Sequence, residues 1–277
     1  MVNLISTESK WFFVFGNENR FVLDIINASK VLQDSGCAES NIFYFSDYVD
    51  VAKKFLEAHG YSSGQLYPLS SIKDKIQTFK NSAFVGCVVS SHGDIGGIEN
   101  TIKPSELIQG INRIPGVTDG LLLLGQCYSG IFNCPKESGI CVLGASNFYP
   151  SLSMRLPNIS WSANVFIYYF FEWMGNPVDI DGDMECSVTD AYKYASYKTN
   201  MVIYNSKIEK SKSFQKWCLD KSAQIRGVVP SIESVAIEQQ LNLDLQVYHN
   251  HQEPWIANPD AANRLILLNR TNSRTVR

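Results

Sequence analysis

The sequence predicts an α/β fold, a three-layer sandwich in which a central, mostly parallel sheet carries helices on both faces. Three observations predict it. Short segments that are apolar at every position recur along the chain, as in parallel strands that are buried on both faces. Segments with apolar residues at helical spacing separate them. Several apolar segments end at glycine, which marks the carboxyl edge where such sheets bind ligands.

The elements follow one another in a regular order. The predicted helices cover 20–33, a segment ending near 60, 72–79, 104–111, 164–173, 191–198 and 205–223. The predicted strands cover 11–15, 41–45, 83–90, 120–124 and 139–144, with closing strands at 243–248 and 264–268. Because no linker or repeat interrupts the series, we predict a single domain over 1–277, with a core in 10–200 and a C-terminal part, 201–277, of a helical stretch plus the closing strands.

Composition restricts the classes of function. Hydrophobic residues make up 45% of the chain and charged residues 18%, which indicates a compact globular protein. The net charge is −3 and no basic run occurs, so a nucleic-acid partner is not expected. The apolar stretch 165–174 contains Glu172 and is too short to span a bilayer, so no membrane association is expected either.

The cysteines and the first residues indicate a compartment. Seven cysteines occur without a Cys-x-x-Cys pair, and an odd number leaves one unpaired. Reduced thiols are the simpler interpretation. The segment 1–10 contains Glu8 and no apolar run, so a signal peptide is not predicted. Together these features favour a cytoplasmic protein.

Two predicted strands end in residues suited to nucleophilic catalysis. One runs into Ser-Ser-His92-Gly93-Asp, and the next long apolar strand runs into Gly-Gln-Cys127-Tyr-Ser-Gly. A thiol is a good nucleophile only as the thiolate, which a nearby imidazole favours. Glycine lets the backbone approach a substrate, and the N–H groups of Gly93 and Cys127 are the expected donors to a developing oxyanion.

A single cysteine or histidine at a strand end need not be catalytic. A cysteine in an apolar strand is more often a packing residue, because free cysteine behaves as a small hydrophobe; Cys87, Cys141 and Cys218 are interpreted in this way. What distinguishes His92 and Cys127 is that both follow consecutive strands and both have glycine neighbours. We therefore predict a Cys-His pair at the edge of the sheet.

Both strand ends resemble the caspase-like clan of cysteine peptidases. The segment 84–93 is a hydrophobic strand ending in His-Gly, and the segment 121–130 is one ending in Cys followed by small residues; the Cys-Tyr-Ser-Gly ending looks most like bacterial legumain-type members. The resemblance implies a caspase-like fold and an endopeptidase that cleaves protein or peptide substrates through a thioester acyl-enzyme. It also implies His92 as the base, Cys127 as the nucleophile, Gly93 with Cys127 as the oxyanion hole, and no required cofactor.

Weaker matches extend the resemblance. Asn17 follows the first strand, where legumains place an asparagine that orients the histidine. Ser146 and Asn147 follow the strand whose end lines the pocket for the residue before the scissile bond. The segments 251–254 and 264–267 resemble a His-Gln-x-Pro motif and closing strand of some bacterial relatives.

The preferred substrate side chain stays open. Arg20 and Arg155 favour an acidic or amide side chain, whereas Asp94 favours a basic one. Caspases carry Gln-Ala-Cys, but here Gln126 directly precedes Cys127, which disfavours a strict caspase.

An acidic loop has two interpretations. Its carboxylates alternate as in a calcium loop, although Met184 stands where the turn wants glycine; the candidate ligands are Asp179, Asp181, Asp183 and Asp190. The favoured alternative is a helix start, with Ser187 as N-cap and Asp190 in the first turn.

Two other functions are considered. An α/β-hydrolase would use Cys127, Asp181 and either His249 or His251 in that chain order, but Ser129 stands where its nucleophile turn needs glycine. A catalytically inactive caspase-like adaptor is the other alternative, and an intact Cys-His pair argues against it. A regulatory protein partner is compatible with the sequence, which does not identify one.

Overall fold

The structure is a computed structural model that describes residues 1–79, 82–99, 101–133, 139–224 and 253–267. The strands in chain order are β1 (Val2–Asn3), β2 (Ser9–Phe15), β3 (Ile42–Phe45), β4 (Leu66–Tyr67), β5 (Phe84–Ser90), β6 (Gly93–Asp94), β7 (Gly97–Ile98), β8 (Asp119–Leu124), β9 (Ile140–Gly144), β10 (Ser153–Arg155), β11 (Ser162–Asn164), β12 (Trp255–Ala257) and β13 (Leu265–Ile266). The α-helices are α1 (Asn19–Asp34), α2 (Val49–Ala58), α3 (Ile72–Gln77), α4 (Pro104–Asn112), α5 (Val165–Gly175), α6 (Val188–Gln224) and α7 (Pro259–Arg264).

Seven strands form the central sheet in the order β12-β9-β8-β5-β2-β3-β4. All neighbouring pairs are parallel except β12 with β9. The five strands predicted before residue 150 lie side by side in it, which confirms an α/β fold with a mostly parallel sheet. Every residue of β5 and β8 is buried, because helices cover both faces of a sheet with crossover connections.

Alternate side chains of each strand pack into two separate cores. In β2, Trp11, Phe13 and Phe15 pack with α1, α2, α5, α6 and α7, on what we call the α1 face. Phe12 and Val14 pack with α3 and α4, on the α4 face. This division follows from the two-residue repeat of a strand, and it is consistent with the three-layer arrangement.

The closing strands differ from the prediction. The segment predicted as a strand over 264–268 forms only β13, which pairs in parallel with β1 outside the central sheet. The strand that ends the central sheet is β12, antiparallel to β9. The sequence pattern missed it because three residues are too few to show an alternation. The predicted strand over 243–248 lies outside the described residues.

The two helices predicted over 191–198 and 205–223 are wrong as separate elements. The structure has one helix, α6, of 37 residues. The segment 199–204 between them contains neither glycine nor proline, so nothing ends the helix there. Within the described part of the chain, no helix combines the length and the apolar character needed to cross a bilayer.

Candidate active site

The two strand ends predicted to carry chemistry meet at one edge of the sheet. β5 and β8 are adjacent and parallel, with Val89 opposite Leu124, and the Gly125 N–H donates to the Val89 carbonyl at 2.8 Å. A Cβ atom added to Gly93 would lie 2.6 Å from Gln126 Cβ and 2.9 Å from the carbonyl oxygen of the next residue. The His-Gly and Gln-Cys segments are therefore in direct contact.

Both strand ends approach the helices of the α1 face. The Ser90 hydroxyl donates to Asp24 of α1 at 3.0 Å, and a Cβ on Gly125 would lie 3.1 Å from Ile167 Cγ1 of α5. The His92 ring lies edge-on to Phe21 of α1, with ring centroids 5.0 Å apart. His92 and Cys127 each lie two residues beyond Ser90 and Gly125.

Glu18, just before α1, holds the imidazole. One of its carboxylate oxygens is hydrogen-bonded to His92 Nε2, and the other accepts a hydrogen bond from Arg20 Nε at 2.6 Å. The hydrogen bond from Arg20 is the main cause that lowers the pKa of the Glu18 carboxyl, and the contact with His92 lowers it further. Glu18 is therefore an anion at neutral pH, placed to accept a hydrogen bond from the ring.

The backbone of His92 is held by Glu99. The His92 N–H donates to Glu99 Oε1 at 3.1 Å, and the Glu99 N–H donates to the His92 carbonyl at 3.2 Å. Between them, β6 and β7 form a tight hairpin, in which Asp94 Oδ1 accepts the Gly96 N–H at 2.6 Å. The predicted substrate residue Asp94 thus closes a turn beside the site.

The Cys127 thiol is partly buried, and Sγ lies 4.0 Å from the Ser151 carbonyl oxygen. Burial raises the pKa of this thiol, while the Ser151 contact and the charge of Arg20 act in the opposite direction. Tyr128 has φ 56, a left-handed conformation that is uncommon for a residue with a bulky side chain. The thiol is predominantly protonated on this balance, so it needs a base to become a nucleophile at neutral pH.

Ser146 and Asn147 hold the loop that follows the candidate nucleophile. Ser146 is fully buried; its carbonyl accepts from the Ser129 hydroxyl at 2.6 Å and from Trp255 Nε1 at 2.8 Å. The Asn147 carbonyl accepts the Gly130 N–H at 3.0 Å. Both predicted pocket residues therefore lie beside the site, and these contacts connect the loop to β12.

The two arginines predicted to bind substrate differ in position. Arg20 Nη1 donates to Ser153 Oγ at 2.9 Å, and its guanidinium carbon lies 4.4 Å from the centroid of the Phe21 ring. Arg155 is exposed in β10, opposite Ser162 of β11. Of the two, Arg20 is the one whose charge acts to lower the pKa of the Cys127 thiol.

The sequence predicts Asn17 as the residue that orients His92, whereas in the structure Glu18 is bonded to the imidazole. Asn17 is exposed, and the side chain bonded to His92 is that of the next residue. Glu99 was missed as well, although it is a carboxylate shortly after the His-Gly motif. Asp24 was missed because it interrupts an apolar helix face; its position between Phe21 and Ala28, both buried, is the signal that marks a buried acid.

The acidic loop starts α6. Ser187 Oγ accepts the Thr189 N–H at 3.2 Å, and Asp190 Oδ2 accepts the Ser187 N–H at 2.9 Å. These bonds confirm the helix-start interpretation, because they cap the first turn reciprocally. Asp190 is fully buried and its other oxygen accepts the Ile180 N–H at 2.8 Å, so backbone groups already occupy both of its oxygens.

Three other carboxylates of the loop converge. Asp179, Asp181 and Asp183 bring one oxygen each within 4.8 Å of one another. Met184 adopts φ 71, so the sharp turn forms without glycine. Asp181 also pairs with Lys193 at 2.8 Å, which competes with a cation. Calcium binding at these three residues stays a prediction.

The α/β-hydrolase alternative lacks the turn it requires. That fold places the nucleophile itself on a strained turn that leads directly into a helix. In this turn the left-handed conformation belongs to Tyr128, the residue after the candidate nucleophile, and the short 3₁₀ turn Ser129–Phe132 follows it. The required histidines, His249 and His251, lie outside the described residues.

No protein-family model matches the chain, and no match was found among curated proteins.

Proposed function

We propose that this protein is a cysteine endopeptidase with a caspase-like fold, in which Cys127 is the nucleophile and His92 the general base. The observation that carries the proposal is the direct contact between the ends of β5 and β8, together with the approach of both to helices of the α1 face. A thiol and an imidazole at such neighbouring strand ends form a nucleophile and base on rigid elements.

Glu18 selects the ring nitrogen that acts on the thiol. Because its carboxylate accepts a hydrogen bond from Nε2 of His92, Nε2 carries the proton in the neutral ring and Nδ1 is left unprotonated. Nδ1 is then the atom that removes the proton from Cys127 Sγ. Glu18 is a positioning residue, and its negative charge stabilises the imidazolium that forms.

The reaction proceeds by acyl transfer. The thiolate attacks the carbonyl carbon of the scissile peptide bond, and the N–H groups of Gly93 and Cys127 are the proposed donors to the oxyanion. The His92 imidazolium then gives its proton to the leaving amine, which leaves a thioester on Cys127. Water, deprotonated by His92, hydrolyses that thioester and restores the thiol.

Cleavage of a peptide library by the wild type and by Cys127→Ala tests the function. We expect the wild type to cut peptide bonds and the variant to cut none above background, because the substitution removes the thiol that forms the acyl-enzyme. Cys141→Ala, which removes a fully buried thiol of β9, is the matched control and should retain activity. Equal product patterns for the wild type and Cys127→Ala would contradict the proposal.

Selective alkylation separates an active peptidase from an inactive adaptor. Iodoacetamide at neutral pH should label Cys127 ahead of the half-buried Cys186, because His92 is the proposed base for Cys127, whereas burial and nearby carboxylates raise the pKa of the Cys186 thiol. Labelling of Cys127 at or below the rate of Cys186 would favour the adaptor.

Replacing Glu18 with glutamine tests its positioning role. The amide keeps the size but removes the charge that stabilises the imidazolium, so we expect kcat to fall by about 10-fold to 100-fold, the loss typical when the hydrogen-bond partner of a metal-bound histidine is replaced. KM should change little. Glu39→Gln, at the 3₁₀ turn before β3, is the matched control. A kcat equal to that of the wild type would remove Glu18 from the mechanism.

A further inference from the structure

A buried carboxylate connects the helix α1 to both strand ends. Asp24 is 4% exposed and its Oδ2 accepts two hydrogen bonds, one from the Ser90 hydroxyl at 3.0 Å and one from the Asn164 N–H at 3.1 Å. Its Oδ1 accepts from Trp161 Nε1 at 3.0 Å. Ser90 is the last residue of β5, two positions before His92, so one end of this network reaches the segment that carries the imidazole.

Asn164 extends the network to the other strand end. Its side-chain N–H groups donate to the Gly125 carbonyl at 2.7 Å and to Ser151 Oγ at 2.9 Å. Its Oδ1 accepts the Ile167 N–H at 3.0 Å, which fixes the start of α5. Gly125 lies two positions before Cys127, and the Ser151 carbonyl is the group beside the thiol.

We propose that Asp24 and Asn164 form a brace that sets the position of His92 relative to Cys127, which makes Asp24 a positioning residue. The inference rests on the proposed peptidase function. Its basis is three hydrogen bonds: one joins the Asp24 carboxylate to the Asn164 N–H, one joins Asp24 to Ser90, and one joins the Asn164 side chain to the Gly125 carbonyl. Ser90 and Gly125 precede the two candidate catalytic groups, and neither of those groups is part of the network itself.

The chemistry of the network explains why a carboxylate stands there. All three of its partners are donors, and a carboxylate is an acceptor at both oxygens. An amide at this position presents an N–H₂ group to at least one of the donors, so a hydrogen bond is lost without a change in volume. The positive charge of Arg20 acts to lower the pKa of the Asp24 carboxyl. It also acts to lower the pKa of the Cys127 thiol, so the same cation influences both the brace and the thiol.

A hydrogen bond elsewhere on the same face provides a matched control. The Tyr44 hydroxyl on β3 donates to Ser29 Oγ on α1 at 3.0 Å, and both residues are buried. It also connects α1 to the sheet, but on a strand separated from β5 by β2. Tyr44→Phe therefore measures how far kcat changes when α1 loses a buried hydrogen bond that is not connected to the site.

Kinetics of Asp24→Asn, Ser90→Ala and Tyr44→Phe test the brace. We expect Asp24→Asn to lower kcat for a cleaved peptide by about 10-fold to 100-fold, as a displacement of about 1 Å costs elsewhere, with KM changed less than about threefold. Ser90→Ala removes a single donor and should lower kcat in the same direction. Tyr44→Phe should keep kcat at the wild-type value. If Asp24→Asn does not fold, Ser90→Ala decides the result.

The outcomes for the brace and for the peptidase are distinguishable. Unchanged kcat in Asp24→Asn and Ser90→Ala, with an active wild type, overturns the brace and leaves the peptidase standing. An equal fall of kcat in Tyr44→Phe also overturns it. A wild type without peptide cleavage contradicts the peptidase alone; the ratio of iodoacetamide labelling at Cys127 to that at Cys186 then tests the brace, and an unchanged ratio in Asp24→Asn overturns it.

Discussion

Replacing His92 with alanine is expected to lower kcat/KM for peptide cleavage by about 10²-fold to 10⁴-fold, the contribution usual for a general acid and base. The loss is large because burial raises the pKa of the Cys127 thiol, so little thiolate forms without a base. His92 also protonates the leaving amine. An amide depends on this step more than an ester does, because an amine leaves less readily than an alcohol when it is not protonated. Steady-state cleavage of one library-derived peptide measures the loss.

His59 provides a control of the same residue type. It follows α2, where His59 Nδ1 lies 2.8 Å from the Phe55 carbonyl oxygen, and His59→Ala should retain wild-type activity. A small ester substrate should suffer less than the peptide from His92→Ala, since its leaving group needs less protonation. An active His92→Ala would exclude the Cys-His mechanism and favour the α/β-hydrolase alternative, which does not use this histidine.

The stability of the wild type relative to Asp24→Asn is expected to rise as the pH falls from about 7 to 4. Burial is the largest influence on Asp24 and raises its pKa from 3.8 to about 7, against the hydrogen bonds from Trp161, Asn164 and Ser90. Above pH 7 the carboxyl is charged in both the folded and the unfolded chain, and the folded chain bears the cost of burial. Below pH 7 the folded chain binds the proton first, so the free energy of unfolding increases until the unfolded chain is protonated too.

The size of this change follows from the shift in pKa. Each unit corresponds to about 1.4 kcal/mol, so the free energy of unfolding of the wild type should gain on the order of 4 kcal/mol at most over that of Asp24→Asn between pH 8 and pH 4. Urea unfolding of both proteins across this range measures it. Asp34→Asn, which removes the exposed ion pair with Lys30 on the same helix, should show a much smaller change. A difference that grows with rising pH would show that the three donors outweigh burial.

The sequence predicted the parts that depend on local patterns. β2, β3, β5, β8 and β9 were predicted from runs of apolar residues, because a strand buried on both faces must be apolar throughout. The strand ends that carry His92 and Cys127 were predicted for the same reason, because polar residues that directly follow an apolar strand are easily recognised in the sequence. The N-cap role of Ser187 was also local, since cap and first turn lie within four residues.

What the tertiary structure decided depends on contacts between distant residues. Glu18 rather than Asn17 is bonded to the imidazole; both lie between β2 and α1, and which of the two side chains meets His92 depends on how α1 packs beside the end of β5. Asp24 meets Ser90 and Asn164 only because α1, β5 and β11 converge, which no local spacing records. β12 is recognised as a strand only by its pairing with β9. Local chemistry identified the candidate nucleophile and base, whereas packing selected the side chains that hold the segments carrying them.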